Sequence, residues 1–197
     1  FYQSKSINRF VQMIYVIDHK DSFTHNVVHQ LSLFDDVECD DFSKINKSKL
    51  NQASTIVFSP GPGSPKDYPL SSKIYKKFKG KKRIIGICLG FQQILYSEGA
   101  KIVQQSKIYH GFQSEVLVNK SSKLFNAGTK FKVGRYHSLK LKEPFKTENF
   151  DITMRCVISG AAMSFENNID KIYGFQFHPE SFLTLNGKLL IKKILSA

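Results

Sequence analysis

The chain has 197 residues, of which 41% are hydrophobic and 13% aromatic, and its formal net charge is +13. A chain of this length can bury roughly 70% of its unfolded surface, so it can form one hydrophobic core without disulfide or metal staples. Its apolar runs fall short of the ~18 residues that cross a membrane, and the basic residues 1–12 lack the apolar region of a signal peptide. The composition therefore excludes membrane-spanning and disulfide-scaffold classes.

Hydrophobic periodicity predicts strands and helices in alternation through the first half of the chain. In chain order these are strand 14–18, helix 24–34, strand 37–41, strand 55–59, helix 70–79, strand 84–88 and helix 91–99. Such alternation is typical of an α/β fold, in which helices cover both faces of an open, mostly parallel sheet.

The second half of the chain has shorter segments. It reads as strands 101–105, 114–118, 130–136, 152–158, 161–166 and 171–177, followed by helix 186–195. We expect these strands to add antiparallel pairs to the sheet. Repeats and linkers are absent from the sequence, so residues 13–197 are predicted to form one domain, preceded by an upstream extension or expression remnant over residues 1–12.

A cysteine stands where the strand 84–88 meets the following helix. Residues 86–90 read GICLG, and the two glycines remove Cβ atoms that would collide in a sharp strand-to-helix turn around Cys88. The free N–H groups and positive dipole end of the helix favour a thiolate and can bind an oxyanion. This pattern describes a nucleophile elbow, although a buried structural cysteine is the alternative from these residues alone.

A second motif, His178-Pro179-Glu180, ends the last predicted strand. Pro179 disfavours a helical conformation for the residue before it, and residues i and i+2 of an extended chain point to one side. We therefore expect His178 and Glu180 to share a face, which suits the base that a cysteine nucleophile needs. His110 and His137 have no carboxylate two residues away, so we assign them to a loop and to support of a pocket.

A third motif, SPGPGSP over residues 59–65, follows the strand 55–59. Its prolines fix φ and its glycines allow close backbone approach, so the loop can direct a backbone N–H at a substrate carbonyl, or it is simply a rigid turn. In open α/β sheets, ligands bind at the carboxyl ends of the strands. Gly63, Cys88 and His178 all follow predicted strand ends.

The basic charge is concentrated near the end of the predicted helix 70–79. The cluster consists of Lys76, Lys77, Lys79, Lys81, Lys82 and Arg83. We interpret it as a solvated helix end, where lysines suit the dipole, because it lacks the features of a nucleic-acid-binding module.

His25 and His29 share a helical face, but two ligands do not make a zinc site, so we predict no metal site. The three widely spaced cysteines suit a reducing cytoplasm.

Together these segments resemble the class I (triad) glutamine amidotransferases, and most closely the small subunits, component II, of anthranilate synthase and para-aminobenzoate (aminodeoxychorismate) synthase. Residues 18–26, 135–139 and 174–181, which read DHKDSFTHN, RYHSL and GFQFHPES, carry the closer resemblance. It implies a flavodoxin-like fold, L-glutamine as substrate, a chorismate-binding large subunit (component I) as partner and a cytoplasmic location. It implies no cofactor in this subunit, Mg²⁺ on the partner, and no binding to nucleic acid or membrane.

The resemblance also implies a role for each matched residue. Cys88 would form a γ-glutamyl thioester, His178 would protonate the departing ammonia and then activate water, and Glu180 would orient His178. The backbone N–H groups of Leu89 and Gly63 would form the oxyanion hole. The residues that would hold glutamine are Gly61, Pro62, Gly63, Gln92, Ser138 and Leu139.

One residue departs from the family pattern. A histidine usually follows the second glycine of the elbow, whereas this chain has Phe91. Because the position lies outside the triad, we expect activity to survive, with any effect on local hydrogen bonding and on the surface facing the partner. Two other function classes stay open: a stand-alone γ-glutamyl-type cysteine hydrolase on the same fold, and a non-enzymatic binding subunit. The sequence leaves the choice between tryptophan and folate synthesis open.

Overall fold

The computed structural model describes residues 12–145, 147 and 149–197. Apart from Gln12, the predicted extension 1–12 lies outside these residues, and its boundary with the domain stays a prediction. The strands of the described chain are β1 (Ile14–Asp18), β2 (Val37–Asp41), β3 (Thr55–Phe58), β4 (Arg83–Ile87), β5 (Ile102–Gln104), β6 (Phe112–Val118), β7 (Lys130–Arg135), β8 (Leu139–Leu141), β9 (Asp151–Cys156), β10 (Ala162–Asn167) and β11 (Ile172–Phe175).

Nine of these strands form one mixed sheet in the order β2-β1-β3-β4-β11-β10-β9-β6-β7. The strands from β2 to β11 in this order are parallel, and those from β11 to β7 pair antiparallel. The remaining two, β5 and β8, form a separate antiparallel pair. The predicted α/β fold with antiparallel additions is confirmed, and β11 is the strand of the second half that completes the parallel part beside β4.

Helices cover both faces of the parallel part. They are α1 (Thr24–Ser32), α2 (Lys47–Gln52), α3 (Pro69–Phe78), α4 (Leu89–Ser97) and α5 (Gly187–Leu195). Successive strand residues point to opposite faces, and β1 follows this rule. Ile14 and Val16 join one apolar cluster with α1 and α5, whereas Tyr15 and Ile17 join a second with α2, α3 and α4. The buried residues of β1 thus explain the two helical layers.

Three short elements were not predicted: helix α2, strand β8 and the 3₁₀ helix Pro65–Asp67. Helix α2 is fixed at its start by Asn46, whose side-chain oxygen accepts the backbone N–H groups of Ser48 and Lys49 at 3.1 and 3.2 Å. Leu50 is the buried residue of this helix, so hydrophobic periodicity carries almost no signal there. Strand β8 has three residues, too few for an alternating pattern to stand out.

The last strand ends two residues earlier than the predicted strand 171–177. Strand β11 ends at Phe175, and the chain then bends toward the far edge of the sheet. The N–H of His178 donates to the carbonyl of Gly134 in β7 at 3.0 Å, in an isolated antiparallel bridge. The segment that carries His178 therefore spans from the parallel to the antiparallel part of the sheet.

The basic cluster lies at the end of α3, as predicted, and part of its charge is engaged within the fold. The Nζ of Lys79 lies 2.7 Å from a carboxylate oxygen of Glu98. The Nζ of Lys82 donates to the carbonyls of Asn51, at 2.8 Å, and Ala53. These contacts tie the end of α3 to α2 and α4. A membrane-crossing helix would need a longer apolar stretch than any helix in the described residues has.

Candidate active site

The turn between β4 and α4 holds Cys88 in an uncommon backbone conformation, with φ +53° and ψ −102°. Its N–H donates to the carbonyl of Phe175 at 2.8 Å, which ties the turn to β11. A Cβ on Gly90 would lie 2.1 Å from the carbonyl oxygen of Phe58, and one on Gly86 would lie 2.5 Å from the carbonyl of Gly90. Both glycines are therefore required, because α4 begins directly against the backbones of β3 and β4.

His178 and Glu180 share a face, as predicted. The Nδ1 of His178 lies 2.6 Å from Oε1 of Glu180, and the two side chains are 1% and 0% exposed. Burial lowers the pKa of His178, but the negative charges of Glu180 and Cys88 outweigh this effect and raise the pKa well above its ordinary value. Among the described residues, Nε2 of His178 and Oε2 of Glu180 have no hydrogen-bond partner. The arrangement can hold an imidazolium next to a thiolate.

The backbone of Pro179, which lies between these two side chains, is held by α1 and α5, the helices on one face of the sheet. Gln30 of α1 donates from Nε2 to the carbonyl of Pro179 at 3.1 Å. Helix α5 begins against the same carbonyl, because a Cβ on Gly187 would lie 1.8 Å from the oxygen of Pro179. Thr184 donates its hydroxyl to the carbonyl of His178 at 2.6 Å. These contacts fix the backbone on both sides of the His–Glu pair.

The residues predicted to hold glutamine lie around one cavity of about 330 Å³ at the carboxyl ends of the parallel strands. This volume lies in the range of small-ligand sites, roughly 300–1,000 Å³. The lining residues are Asp21, Gly61, Pro62, Gly63, Cys88, Leu89, Gln92, His110, Tyr136, His137, Ser138 and Leu139. Of these, Asp21, His110 and Tyr136 were not assigned to the pocket from the sequence. The structure brings the predicted residues together, and their roles stay predictions.

A buried glutamine to which the sequence analysis gave no role connects the thiol of Cys88 to Gln92 in the wall of the pocket. Gln176 is 0% exposed, and its Nε2 is 4.0 Å from Sγ of Cys88. Its Oε1 accepts from Nε2 of Gln92 at 3.0 Å, and the same Nε2 lies 3.3 Å from the carbonyl of Leu139. A polar residue between two phenylalanines in the sequence was a signal, because a buried amide needs partners.

The two predicted oxyanion donors are backbone groups of residues that line the cavity together with Cys88. Leu89 is the first residue of α4, where helical N–H groups have no partner within the helix. Gly63 has φ +73°, and the carbonyl of the preceding Pro62 accepts the hydroxyl of Tyr68 at 3.0 Å. Because C=O and N–H of a trans peptide point in opposite directions, Tyr68 fixes the orientation of the Gly63 N–H.

Phe91 lies within the core, away from the cavity. It is 0% exposed, and its ring centroid lies 5.1 Å from that of Phe165 on β10. It belongs to the apolar cluster of α2, α3 and α4, whereas Cys88 belongs to the cluster of α1 and α5. Phe91 therefore leaves the surface of the protein unchanged, and its effect is confined to packing between α4 and β10.

His19 is a structural residue at the base of the Gly61–Gly63 loop. Its Nε2 lies 2.9 Å from the hydroxyl of Ser71, and burial lowers its pKa to about 4. A Cβ on Gly61 would lie 2.5 Å from Cβ of His19, so the loop packs directly on this side chain.

In the described part of the chain, no group of three or more histidine, cysteine or acidic side chains could hold a metal ion.

Comparison with known proteins shows the family of this chain. The family "Glutamine amidotransferase class-I" matches residues 15–197. The chain is 39% identical to anthranilate synthase component 2 of Lactococcus lactis, and 36% identical to that of Buchnera aphidicola subsp. Schizaphis graminum. Each match covers 93% of this chain and 94% of the relative. A solved glutamine amidotransferase of Thermotoga maritima has the same fold, with a TM-score of 0.74 at 15% identity, over 94% of this chain and 97% of that one. With an elbow cysteine that lines the cavity and a buried His–Glu pair next to that cysteine, the chain belongs to the class I glutamine amidotransferase family.

Proposed function

We propose that this chain is the glutaminase subunit, component II, of an anthranilate synthase, and that it supplies ammonia to a chorismate-binding large subunit for tryptophan synthesis. The observation that carries the proposal is the 2.6 Å contact between His178 and Glu180 beside the elbow residue Cys88. The relatives named above support the choice of anthranilate synthase.

The proposed reaction has two steps. The sulfur of Cys88 bonds to the side-chain carbonyl carbon of glutamine, the C–N bond breaks, and the nitrogen leaves as ammonia with a proton from His178. Water then gives a proton to His178 and attacks the γ-glutamyl thioester, which releases glutamate and restores Cys88. Glu180 holds Nδ1 of His178, so that Nε2 both gives and takes the proton.

The cavity supports the assignment of the remaining groups. In this proposal the N–H groups of Leu89 and Gly63 bind the oxyanion, where each donor contributes about 3–4 kcal/mol to transition-state stabilisation. Gln92, Ser138 and Leu139 hold the main-chain end of glutamine together with the Gly61–Gly63 loop. All of these residues line the same cavity as Cys88.

The partner and its metal are part of the same proposal. Ammonia released into water at neutral pH is mostly protonated and is a poor nucleophile, so it must reach the acceptor through a docked subunit. We expect that subunit to bind chorismate and Mg²⁺, whereas this chain needs no cofactor for thioester chemistry. Identification of the product as anthranilate or aminodeoxychorismate distinguishes tryptophan from folate synthesis.

The test is Cys88→Ala in the complex with the large subunit. Glutamine-dependent synthesis should be lost, and synthesis from added ammonium should be retained, because the thiol serves only to release ammonia. Cys39→Ala is the matched control, since Cys39 is a half-buried thiol on the edge strand β2 and should retain both activities. Loss of both activities in an intact Cys88→Ala complex would contradict the proposal. Full glutamine hydrolysis by the chain alone would favour a stand-alone hydrolase.

A further inference from the structure

Arg135, at the end of β7, is a buried cation whose partners are neutral or weakly acidic groups. It is 0% exposed, and among the described residues it pairs with no carboxylate. Its Nε donates to Nε2 of His137 at 3.0 Å, its Nη2 to Oε1 of Gln105 at 3.3 Å, and its Nη1 to Sγ of Cys156 at 3.3 Å. The guanidinium carbon lies 3.5 Å from the ring centroid of Tyr109. Because an unpaired buried charge is costly, a specific role must explain its retention.

The hydrogen bond from Arg135 determines which nitrogen of His137 carries the proton. An arginine N–H can only donate, so Nε2 of His137 must offer its lone pair, and the single proton of the neutral ring is on Nδ1. That nitrogen lies 2.8 Å from the carbonyl of Leu139, which accepts its proton. It also lies 3.2 Å from Nε2 of Gln105, whose N–H donates instead to the carbonyl of His137 at the shorter distance of 2.6 Å. The other tautomer would place two N–H groups against each other and a lone pair against a carbonyl. Burial and the charge of Arg135 lower the pKa of His137 to about 3, so the ring stays neutral.

The same network holds three successive carbonyls of the pocket wall. Nε2 of Gln105 donates to the carbonyl of His137 at 2.6 Å, and the backbone N–H of Gln105 donates to that of Ser138 at 2.9 Å. The carbonyl of Leu139 accepts from His137, and Nε2 of Gln92 lies 3.3 Å from the same oxygen. The position of residues 137–139 thus depends on groups that Arg135 orients.

We propose that Arg135 is a positioning residue that selects the Nδ1–H tautomer of His137 and thereby fixes the Ser138–Leu139 wall of the glutamine pocket. The inference rests on the proposed glutaminase function of this site. Arg135 is not among the residues that line the cavity, so it acts through His137. Its loss should weaken glutamine binding and leave the bond-making groups in place.

The test uses the complex with the large subunit and the variants Arg135→Met, Arg135→Lys and His137→Ala. Arg135→Met should raise KM for glutamine about tenfold, which corresponds to one hydrogen bond, and should leave kcat and ammonia-dependent synthesis unchanged. Arg135→Lys should raise the KM for glutamine less than Arg135→Met but should not restore the wild-type value, because an ammonium lacks the directed fork of a guanidinium. Arg155→Met is the matched control, because Arg155 lies in the same sheet but bonds Glu143 near the surface. This variant should have the wild-type KM for glutamine.

A second readout does not depend on activity. In ¹⁵N NMR spectra of the wild-type chain, the ring of His137 should show protonated Nδ1 and bare Nε2, and the Arg135 variants should show a mixture. Arg135→Met combined with His137→Ala should be no worse than His137→Ala, because both changes act on one contact.

Several results would overturn the inference. These are an Nε2–H tautomer in the wild type, additive effects of the two changes, or an equal loss of kcat and of ammonia-dependent synthesis. If Arg135→Met does not fold, the KM of Arg135→Lys and the His137 tautomer in the wild-type spectrum still test the inference. A wild-type complex that cannot use glutamine would refute the proposed function, while the spectrum would test the tautomer separately.

Discussion

The parallel and antiparallel parts of the sheet contribute different groups to the candidate site. In the parallel part, Gly63, Cys88 and His178 follow β3, β4 and β11, so backbone donors, nucleophile and base meet at one edge. The antiparallel part contributes Arg135 at the end of β7, and the chain continues from it through His137 to β8. One part supplies the groups that would make and break bonds, and the other supplies a wall held by its own hydrogen bonds.

This difference has a kinetic meaning under the proposed function. A group that acts only in the transition state changes kcat, whereas one that binds substrate and transition state equally changes KM. Substitutions of Cys88, His178 and Glu180 should therefore lower kcat, and those around Arg135 should raise KM. The following predictions test or sharpen this division.

The largest effect is expected at the His–Glu pair. His178→Ala should nearly abolish glutamine hydrolysis, and Glu180→Gln should lower kcat by roughly tenfold to a few hundredfold, because an orienting group contributes less than the base that moves the proton. With Glu180 neutralised, burial is opposed by Cys88 alone, so the pKa of His178 should fall. Single-turnover thioester formation over a pH series measures both effects. Equal losses in the two variants, or a change confined to KM, would contradict the assigned roles.

The next effect concerns the loop that carries Gly63. The chain alone should be a poor glutaminase, and the large subunit with chorismate should raise its rate ~100-fold, which matches the contribution of one oxyanion donor. A flip of the Pro62–Gly63 peptide would break the hydrogen bond from Tyr68, so Tyr68→Phe should change the ratio between the glutaminase rates of the free chain and of the complex. Steady-state glutaminase rates with and without the partner measure this ratio. A free chain as active as the complex would rule out such a switch.

A smaller effect is expected at Phe91, where the two parts of the sheet meet. Phe91→His should keep kcat/KM for glutamine within about an order of magnitude, because this side chain packs on Phe165 rather than on the thiol. It should lower the free energy of unfolding by about 1–3 kcal/mol, since a polar ring is buried among apolar groups. Phe91→Leu is the apolar control in the same kinetic and denaturation assays. A collapse of kcat/KM in the folded Phe91→His variant would show that Phe91 shapes the pocket.

Each part of the sheet also buries a neutral histidine, and this predicts sensitivity to acid. The pKa of His19 is lowered to about 4 and that of His137 to about 3, both mainly by burial. Between pH 6.5 and these values the unfolded chain binds protons that the folded chain does not, so stability should fall as the pH drops through this window. His19→Gln should reduce the slope by up to about 1.4 kcal/mol per pH unit. Urea unfolding at several pH values measures it, and an unchanged slope would contradict the assignment.

The sequence predicted the parallel part of the fold best. Strands β1 and β2 have the predicted bounds: β1 is a short, buried apolar run, and β2 is a half-buried edge strand. Helix α2 left none, since its start is fixed by the side chain of Asn46 and its buried surface by Leu50. The end of β11 was placed two residues late, because the pairing of His178 with β7 is a long-range contact that local pattern does not contain.

In the candidate site, too, the residues placed by local geometry were predicted, and those placed by long-range contacts were not. The spacing in the elbow and in the His-Pro-Glu motif was enough to expect the close contacts around Cys88, since local geometry creates them. Gln176 and Arg135 lie in segments that carry the family resemblance, but the sequence analysis assigned them no role, because the partners that they bond inside the protein lie far away in the chain. Only the three-dimensional structure shows that these side chains have their partners inside the protein.

The backbone of Cys88 has a consequence for evolution. A residue with a side chain at φ +53° and ψ −102° costs about 1–3 kcal/mol, and glycine would avoid much of this strain. The thiol is therefore kept at a position where selection for stability alone would remove it. In a lineage that no longer uses glutamine, Cys88 should be replaced by glycine. The protein with this replacement should unfold at a higher temperature than its active ancestor.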